Sequence, residues 1–420
     1  MSNHFRAASG KAYERQSMRR DIFWNTWGSS ASAIASAIFV LGTTRISGAH
    51  MGGLFSIAFS TAQMLLMLGN YGMRVFQVSD SEPEFSFREY LTSRVITCFL
   101  MLLAGQVWCL ASQYDFEKTS IVMLVTASRA LEAFSDVLEG RMHQCRYLSF
   151  AGKSLTIRTV CYSVCYFMAL QVTGSLQIAC LCMLVSSLIC MILFSIRKER
   201  ALCPPEPDCD IKDVIRLLYV CFPLFLSMFL LMYIVNAPKY AIDRLLSETE
   251  QAYYGLLYLP AQVIALFSTF VFKPMINRLT DLWAAKQHTA FNKVIGRVVA
   301  LIVLLTAGCM LMSWLLGIPI LEFLSNQKLT AYRTALVIIM LGGGLSAMAS
   351  MITQAITIMH GQKVIAIGYL LTLLAAMVLP GPMTRRGGVT AAAFSFVILM
   401  AMLSLLLFIG MSWIVRKARK

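Results

Sequence analysis

Residues 126–140 read TASRALEAFSDVLEG, and four of them are formally charged within an otherwise apolar run. On an α-helix, Arg129, Glu132, Asp136 and Glu139 fall within an arc of about 80°. So narrow a stripe cannot face hydrocarbon, where one ionised side chain near the bilayer centre costs roughly 2.5–3.5 kcal/mol or more. It must face other helices or water. Two chemistries suit these residue types at this spacing. Arg129 and Glu132 are three residues apart and are placed to form an ion pair that holds helices in register. Alternatively, the stripe lines a water-filled transport cavity in which Glu132 and Asp136 bind a coupling ion, H⁺ or Na⁺. Asp136 lies farther from Arg129 than Glu132 does, which makes it the better candidate for carrying a coupling proton. Arg129 is near the middle of its run, and Glu139 is at the cytosolic end.

A buried stripe needs spanning helices to enclose it. The chain has 420 residues, 58% hydrophobic and 14% charged, with a mean hydropathy of +0.69. Charged residues usually make up about 25% of a globular chain. Apolar runs near the length needed to cross about 30 Å of hydrocarbon recur from end to end. They predict twelve spans, at 22–44, 50–73, 92–112, 118–138, 154–173, 175–196, 213–236, 253–274, 294–316, 331–355, 364–380 and 390–414. Strands of a membrane β-barrel would be about ten residues of alternating polarity, and these runs are too long and too uniformly apolar. Arg6, Lys11, Arg15, Arg19 and Arg20 precede the first run, with no early apolar core and no small-residue cleavage site after it. The first run is therefore expected to be a retained helix rather than a signal peptide.

The net charge is +15, and its distribution points to a membrane rather than to nucleic acid. If the N-terminus is placed inside, the inner tails and loops hold 27 of the 36 Lys and Arg residues. The outer loops hold eight: Arg45, Lys118, Lys239, Arg244, Lys328, Arg333, Arg385 and Arg386. Arg129 alone lies mid-span. That bias predicts cytosolic termini. The 12 cysteines are scattered, and the five histidines form no metal-binding spacing. There is no GxxxxGK[ST] phosphate loop, so any driving force is expected from an ion gradient rather than from ATP bound by this chain. No cofactor or metal is expected.

The Pro- and charge-rich stretch RKERALCPPEPDCDIKD marks a cytosolic linker. It divides the chain into an N-terminal six-helix bundle (1–196), the linker (197–212) and a C-terminal six-helix bundle (213–420). A thin echo between residues 43–63 and 236–262 is consistent with a parallel repeat of the halves. Ser86 and Glu89 have capping-box spacing ahead of the third span. Pro223 and Pro260 fall within spans seven and eight, Pro274 closes span eight, and LGGGLSAMAS at 341–350 brings three glycines into span ten. These breakers serve either bending during alternating access or close packing of small residues. Arg45, Arg74, Lys239 and Lys273 sit at helix ends. Singly, such residues snorkel to headgroups; together with Arg129 they make a candidate set for an anionic, phosphate-bearing substrate.

Several segments carry a resemblance to a known family. They are FWNTWGSSASAI at 23–34, TRISGAHMGGLFSIAFS at 44–60, YGMRVFQVSDSEPEFSFREYLTSR at 71–94, EAFSDVLEGRMHQCRYLSFAGKSLTIR at 132–158 and NAPKYAIDRLLSETEQAYYG at 236–255. Over almost its whole length the chain resembles the Wzx-type O-antigen and capsule repeat-unit flippases of the multidrug/oligosaccharidyl-lipid/polysaccharide (MOP) superfamily. The resemblance implies an all-α membrane protein with about twelve helices in two six-helix bundles around a cationic cavity. It implies a transporter in the bacterial cytoplasmic membrane, not an enzyme. The cargo would be an undecaprenyl-pyrophosphate-linked oligosaccharide moved from the inner to the outer leaflet. The diphosphate would meet Arg45, Arg74, Arg129 and Lys239, while the tail stays in the bilayer. Expected partners are the cargo, membrane lipids and other polysaccharide-assembly proteins, with the chain acting as a monomer. Only Arg129 lies mid-membrane, fewer basic cavity residues than in several members of the family. Two rival functions are a small-molecule exporter of the same fold, favoured by Glu132 and Asp136, and a membrane polysaccharide polymerase or ligase. The latter would be expected to present a large outer loop with Arg and His, whereas the loop near 236–252 is short and has no histidine.

Overall fold

A computed structural model describes residues 2–79, 84–145, 147–203, 209–272 and 275–419. Lys273, one of the expected substrate-binding residues, and the neighbouring Pro274 lie outside the described residues. Among the described residues the regular structure is helical throughout, and each of the twelve predicted runs overlaps a helix over most of its length. The helices are α1 (Ser2–Asn70), α2 (Met73–Ser79), α3 (Phe87–Ala111), α4 (Phe116–Gln144), α5 (Leu148–Thr173), α6 (Leu176–Cys190) and α7 (Arg197–Leu202). They continue as α8 (Ile211–Leu245), α9 (Glu248–Phe272), α10 (Ile276–Ala284), α11 (His288–Met312), α12 (Ile318–Ser325), α13 (Arg333–Ile358), α14 (Gln362–Val378) and α15 (Pro380–Arg419). Eight helical stretches among the described residues are long and apolar enough to cross a membrane by length and composition. Large apolar side chains such as Phe99, Leu110, Leu304 and Phe323 are exposed on them, which suits a hydrocarbon solvent.

Local chemistry explains the ends and breaks. Ser86 and Glu89 form the predicted capping box: the Glu89 amide donates to Ser86 Oγ at 3.4 Å, and the Ser86 amide donates to Glu89 Oε2 at 2.8 Å. The Asp115 side chain caps α4, accepting from the Lys118 amide at 3.1 Å. Spans one and two are parts of α1 divided at Gly48, where φ is 85°, a conformation that strains any residue with a Cβ. α15 is broken at Gly387 and Gly388. The prolines behave differently from the expected interruptions. α8 runs through Pro223 and α9 through Pro260, and the Ser227 hydroxyl donates to the Pro223 carbonyl at 2.9 Å.

The chain forms two compact units. One comprises residues 1–46 and 58–228, the other residues 47–57 and 229–420. Within the first, Met73, Phe85, Tyr90, Val137, Leu138, Leu217 and Cys221 make a buried cluster that packs α2 and α3 against α4 and α8. Within the second, Ile234 and Ala237 of α8 pack on Ala376 of α14 and on Phe396, Leu399 and Met400 of α15. The glycines of span ten stay inside the continuous helix α13 and serve close approach rather than bending. A Cβ at Gly342 would lie 2.3 Å from the Phe396 ring, at Gly343 2.8 Å from Ala261 Cβ, and at Gly344 2.3 Å from Thr306 Oγ1. Three neighbouring helices therefore reach the α13 backbone through these positions.

Candidate functional site: the charged face of α4

The charged stripe lies on α4 and faces the interior of the first unit. Arg129 is 6% exposed. Its guanidinium pairs with Glu132 on the same helix and lies 4.6 Å from the Phe59 ring centroid. Further along, Asp136 bridges two other segments. Arg74 of α2 donates through Nη1 to Asp136 Oδ1 at 3.1 Å and to the Asp136 backbone carbonyl. Arg94 of α3 approaches Asp136 Oδ2 through Nη2 at 3.5 Å. Arg94 also donates through Nη1 to the carbonyl of Gly69, which accepts from Thr97 Oγ1 at 2.9 Å as well. At the end of the stripe, Glu139 meets Arg158 of α5 at 3.4 Å. Gly140 allows α2 to approach closely: a Cβ there would fall 2.0 Å from Gln77 Oε1, and Gln77 Nε2 donates to the Val137 carbonyl at 3.1 Å.

The structure thus assigns a cationic partner to each of the three carboxylates. It also adds partners that the sequence reading does not single out. Arg94 and Arg158 fall on the inner side in the loop-charge count and near the starts of the third and fifth predicted spans. They lie within α3 and α5, with side chains 0% and 2% exposed. The available signal was charge balance: one arginine on the stripe cannot neutralise three carboxylates buried with it. Asp136 is the sequence's candidate for the coupling proton because it lies farther from Arg129, and in the structure two guanidiniums from other helices reach it where α2 and the start of α3 lie against α4.

The remaining predicted residues are dispersed. Arg74 is brought to the stripe. Arg45 is an exposed residue of α1 just before Gly48. The helix from Gly48 to Asn70 rises about 30 Å and separates Arg45 from Arg74, so one phosphate cannot bind both. Lys239 belongs to the second unit, on α8. It is 7% exposed, with Nζ 4.4 Å from the Tyr258 ring centroid, and Tyr258 stacks with Tyr254. Among the described residues no three His, Cys, Asp or Glu side chains gather to hold a metal ion.

Chemically, the α4 face is a ladder of guanidinium–carboxylate pairs. Its Glu132, Asp136 and Arg74 side chains remain 24–30% exposed. Such pairs can exchange partners when an anion or a proton enters, provided the helices that carry them can shift.

Comparison of the sequence with protein-family models and with characterised proteins gives no match. Comparison of structures does. Over 93% of this chain and 94% of the other, the protein is similar to a multidrug resistance MATE family transporter of the MOP superfamily in its inward-facing conformation, with a TM-score of 0.65 and 13% identity. The lipid II flippase MurJ, in an inward closed conformation, aligns over 93% of this chain and 90% of its own, with a TM-score of 0.68 and 14% identity. A MOP superfamily transporter from Pyrococcus furiosus aligns over 98% and 96%, with a TM-score of 0.54 and 13% identity. At these identities the likeness bears on architecture alone. The chain is an all-α, multi-pass membrane protein with the twelve-helix, two-bundle fold of the MOP-superfamily transporters.

Proposed function

We propose that the protein is a flippase for an undecaprenyl-pyrophosphate-linked oligosaccharide. It would carry the repeat unit from the inner to the outer leaflet of a bacterial cytoplasmic membrane by alternating access, coupled to an H⁺ or Na⁺ gradient. One observation supports this most directly: Arg94, Arg129, Arg158 and Lys239 are all buried on helices of the two bundles. Cations at such positions are costly and tend to mark a substrate or ion path. In the first unit, Arg74, Arg94, Arg129 and Arg158 outnumber Glu132, Asp136 and Glu139, leaving a net positive face that suits a diphosphate. Lys239 adds a cation in the second unit, Arg45 stands just before the Gly48 break of α1, and Lys273 stays in the candidate set on its sequence position. Cargo lipid and bilayer lipids are the partners of this reading, with polysaccharide-assembly proteins beside a monomeric transporter and both termini in the cytosol.

A second reading has its own observation. Glu132 and Asp136 are the stripe's accessible carboxylates, at 24% and 30% exposure, and a cationic drug would seek them. The test is reconstitution of the chain in liposomes with a fluorescent polyprenyl-diphosphate oligosaccharide under an imposed pH or Na⁺ gradient. Gradient-dependent movement of label to the other leaflet is expected. Arg129→Ala should lose it, and Arg129→Lys should retain part, because Lys keeps the charge but not the guanidinium fork. Extrusion of cationic dyes without lipid movement would transfer the assignment to the exporter. A cytosol-only fluorescent reporter fused after Lys420 should light up.

A further inference from the structure

Within the second unit, the C-terminal end of α8, the end of α14 and the first turns of α15 line an open cavity of about 600 Å³. Arg244, Arg385 and Arg386 line it, and no Asp or Glu is in its wall. None of the three arginines belongs to the α4 face or to the residues singled out from the sequence. Arg244 is in the last turn of α8. Arg385 and Arg386 directly precede the break at Gly387 and Gly388, which separates the segment that carries them from the rest of α15. Tyr233 and Tyr240, two turns apart on α8, form another part of the wall with ring centroids 5.7 Å apart.

Three exposed guanidiniums around one space present a concentrated positive field to an anion. Arginine forks match phosphate oxygens bidentately. The volume is far larger than one ion needs and falls in the range of small-molecule sites, about 300–1,000 Å³. The wall also includes Met377 and Leu245, 60% and 36% exposed. On α14, Leu374 and Val378 continue that apolar surface at 62% and 65% exposure. A charged cavity flanked by an exposed apolar strip suits a molecule with a phosphorylated head and a hydrocarbon tail. The tyrosine hydroxyls and rings suit the polar–apolar boundary where such a head lies.

We propose that this cavity binds the phosphate-bearing headgroup of a lipid. By the loop-charge reading, the three arginines belong to the outer side, so the site would hold a headgroup of the outer leaflet. The inference does not rest on the flippase reading, because an exporter with this cavity would hold an anionic phospholipid there.

The test uses the full-length protein in a neutral detergent, with bound lipid counted by native mass spectrometry. The probes are a polyprenyl phosphate, phosphatidylglycerol and inorganic diphosphate. The unsubstituted chain should bind one polyprenyl phosphate saturably. Joint substitution Arg244→Gln, Arg385→Gln and Arg386→Gln should weaken binding about tenfold or more. Arg385→Lys with Arg386→Lys should retain most of it. Arg333→Gln, at an arginine beside Trp314 and outside the cavity, should change nothing. Competition by phosphatidylglycerol would identify a general anionic-lipid site, and its failure to compete would identify a polyprenyl-selective one. Undiminished binding by the triple variant overturns the proposal, as does equal loss in Arg333→Gln or binding of diphosphate with no lipid bound. Should the triple variant fail to fold, Arg244→Gln alone decides, with a several-fold loss expected and unchanged binding counting against the site.

Discussion

The two units place their cations in different surroundings. In the first, Arg129, Arg158 and the pair Arg74 and Arg94 each meet a carboxylate of α4. In the second, Lys239 lies over the face of Tyr258, and Arg244, Arg385 and Arg386 line a cavity without a carboxylate. A neutralised cation in a low-dielectric interior holds its partner and ties helices together. The first unit's pairs thus tie helices together, whereas the second unit's cavity arginines face no carboxylate in its wall. On the flippase reading, a diphosphate must displace or share partners at the α4 face.

The largest effect should come from breaking the most buried pair. Arg158→Ala leaves Glu139 buried without its cation among packed helices, and about 3–5 kcal/mol of stability should be lost. Thermal unfolding in detergent would read this as a marked fall in Tm or as loss of the protein. Adding Glu139→Leu should restore much of it; if it does not, the pair is not what holds α5 to α4. Next comes the glycine seam of the second unit. In Gly343→Ala the new methyl meets Ala261 Cβ at 2.8 Å and its backbone oxygen at 3.2 Å. Backbone cannot yield as a side chain can, so about 1–3 kcal/mol should be lost. An unchanged Tm would show that α9 and α13 separate easily, as a bending helix would require.

Asp136→Asn should have a smaller effect on stability, about 1 kcal/mol, because Arg94 keeps its bond to the Gly69 carbonyl. Its informative readout is transport. If Asp136 carries the coupling ion, the variant moves cargo without responding to the gradient. If gradient dependence matches that of the unsubstituted protein, Asp136 is a structural bridge between α2, α3 and α4. The smallest stability change is expected for Lys239→Met, since the thioether can pack on Tyr258 in place of the ammonium. Cargo affinity should nonetheless fall several-fold, read as a rise in the lipid concentration giving half-maximal flipping. Loss of stability with unchanged affinity would erase the contrast between the two units.

The sequence by itself determined the helical membrane character, because twelve apolar runs of spanning length admit no other solution in lipid. It also determined the inward orientation of the α4 stripe, since the 100° step and the cost of exposing charge to hydrocarbon are local rules. The Ser86–Glu89 cap was legible for the same reason: its partners are three residues apart. What only the tertiary structure decided is who meets whom across helices. That Arg94 meets Asp136 and Arg158 meets Glu139 is invisible to a linear charge count. Asp136 gained two partners through the return of α2 and α3 onto α4. The glycines at 342–344 became a packing seam once α9, α11 and α15 pressed against α13. The cavity of Arg244, Arg385 and Arg386 joins residues some 140 positions apart in the chain. No spacing rule reaches that far, because helix contacts are chosen by shape complementarity and charge pairing after the spans have formed.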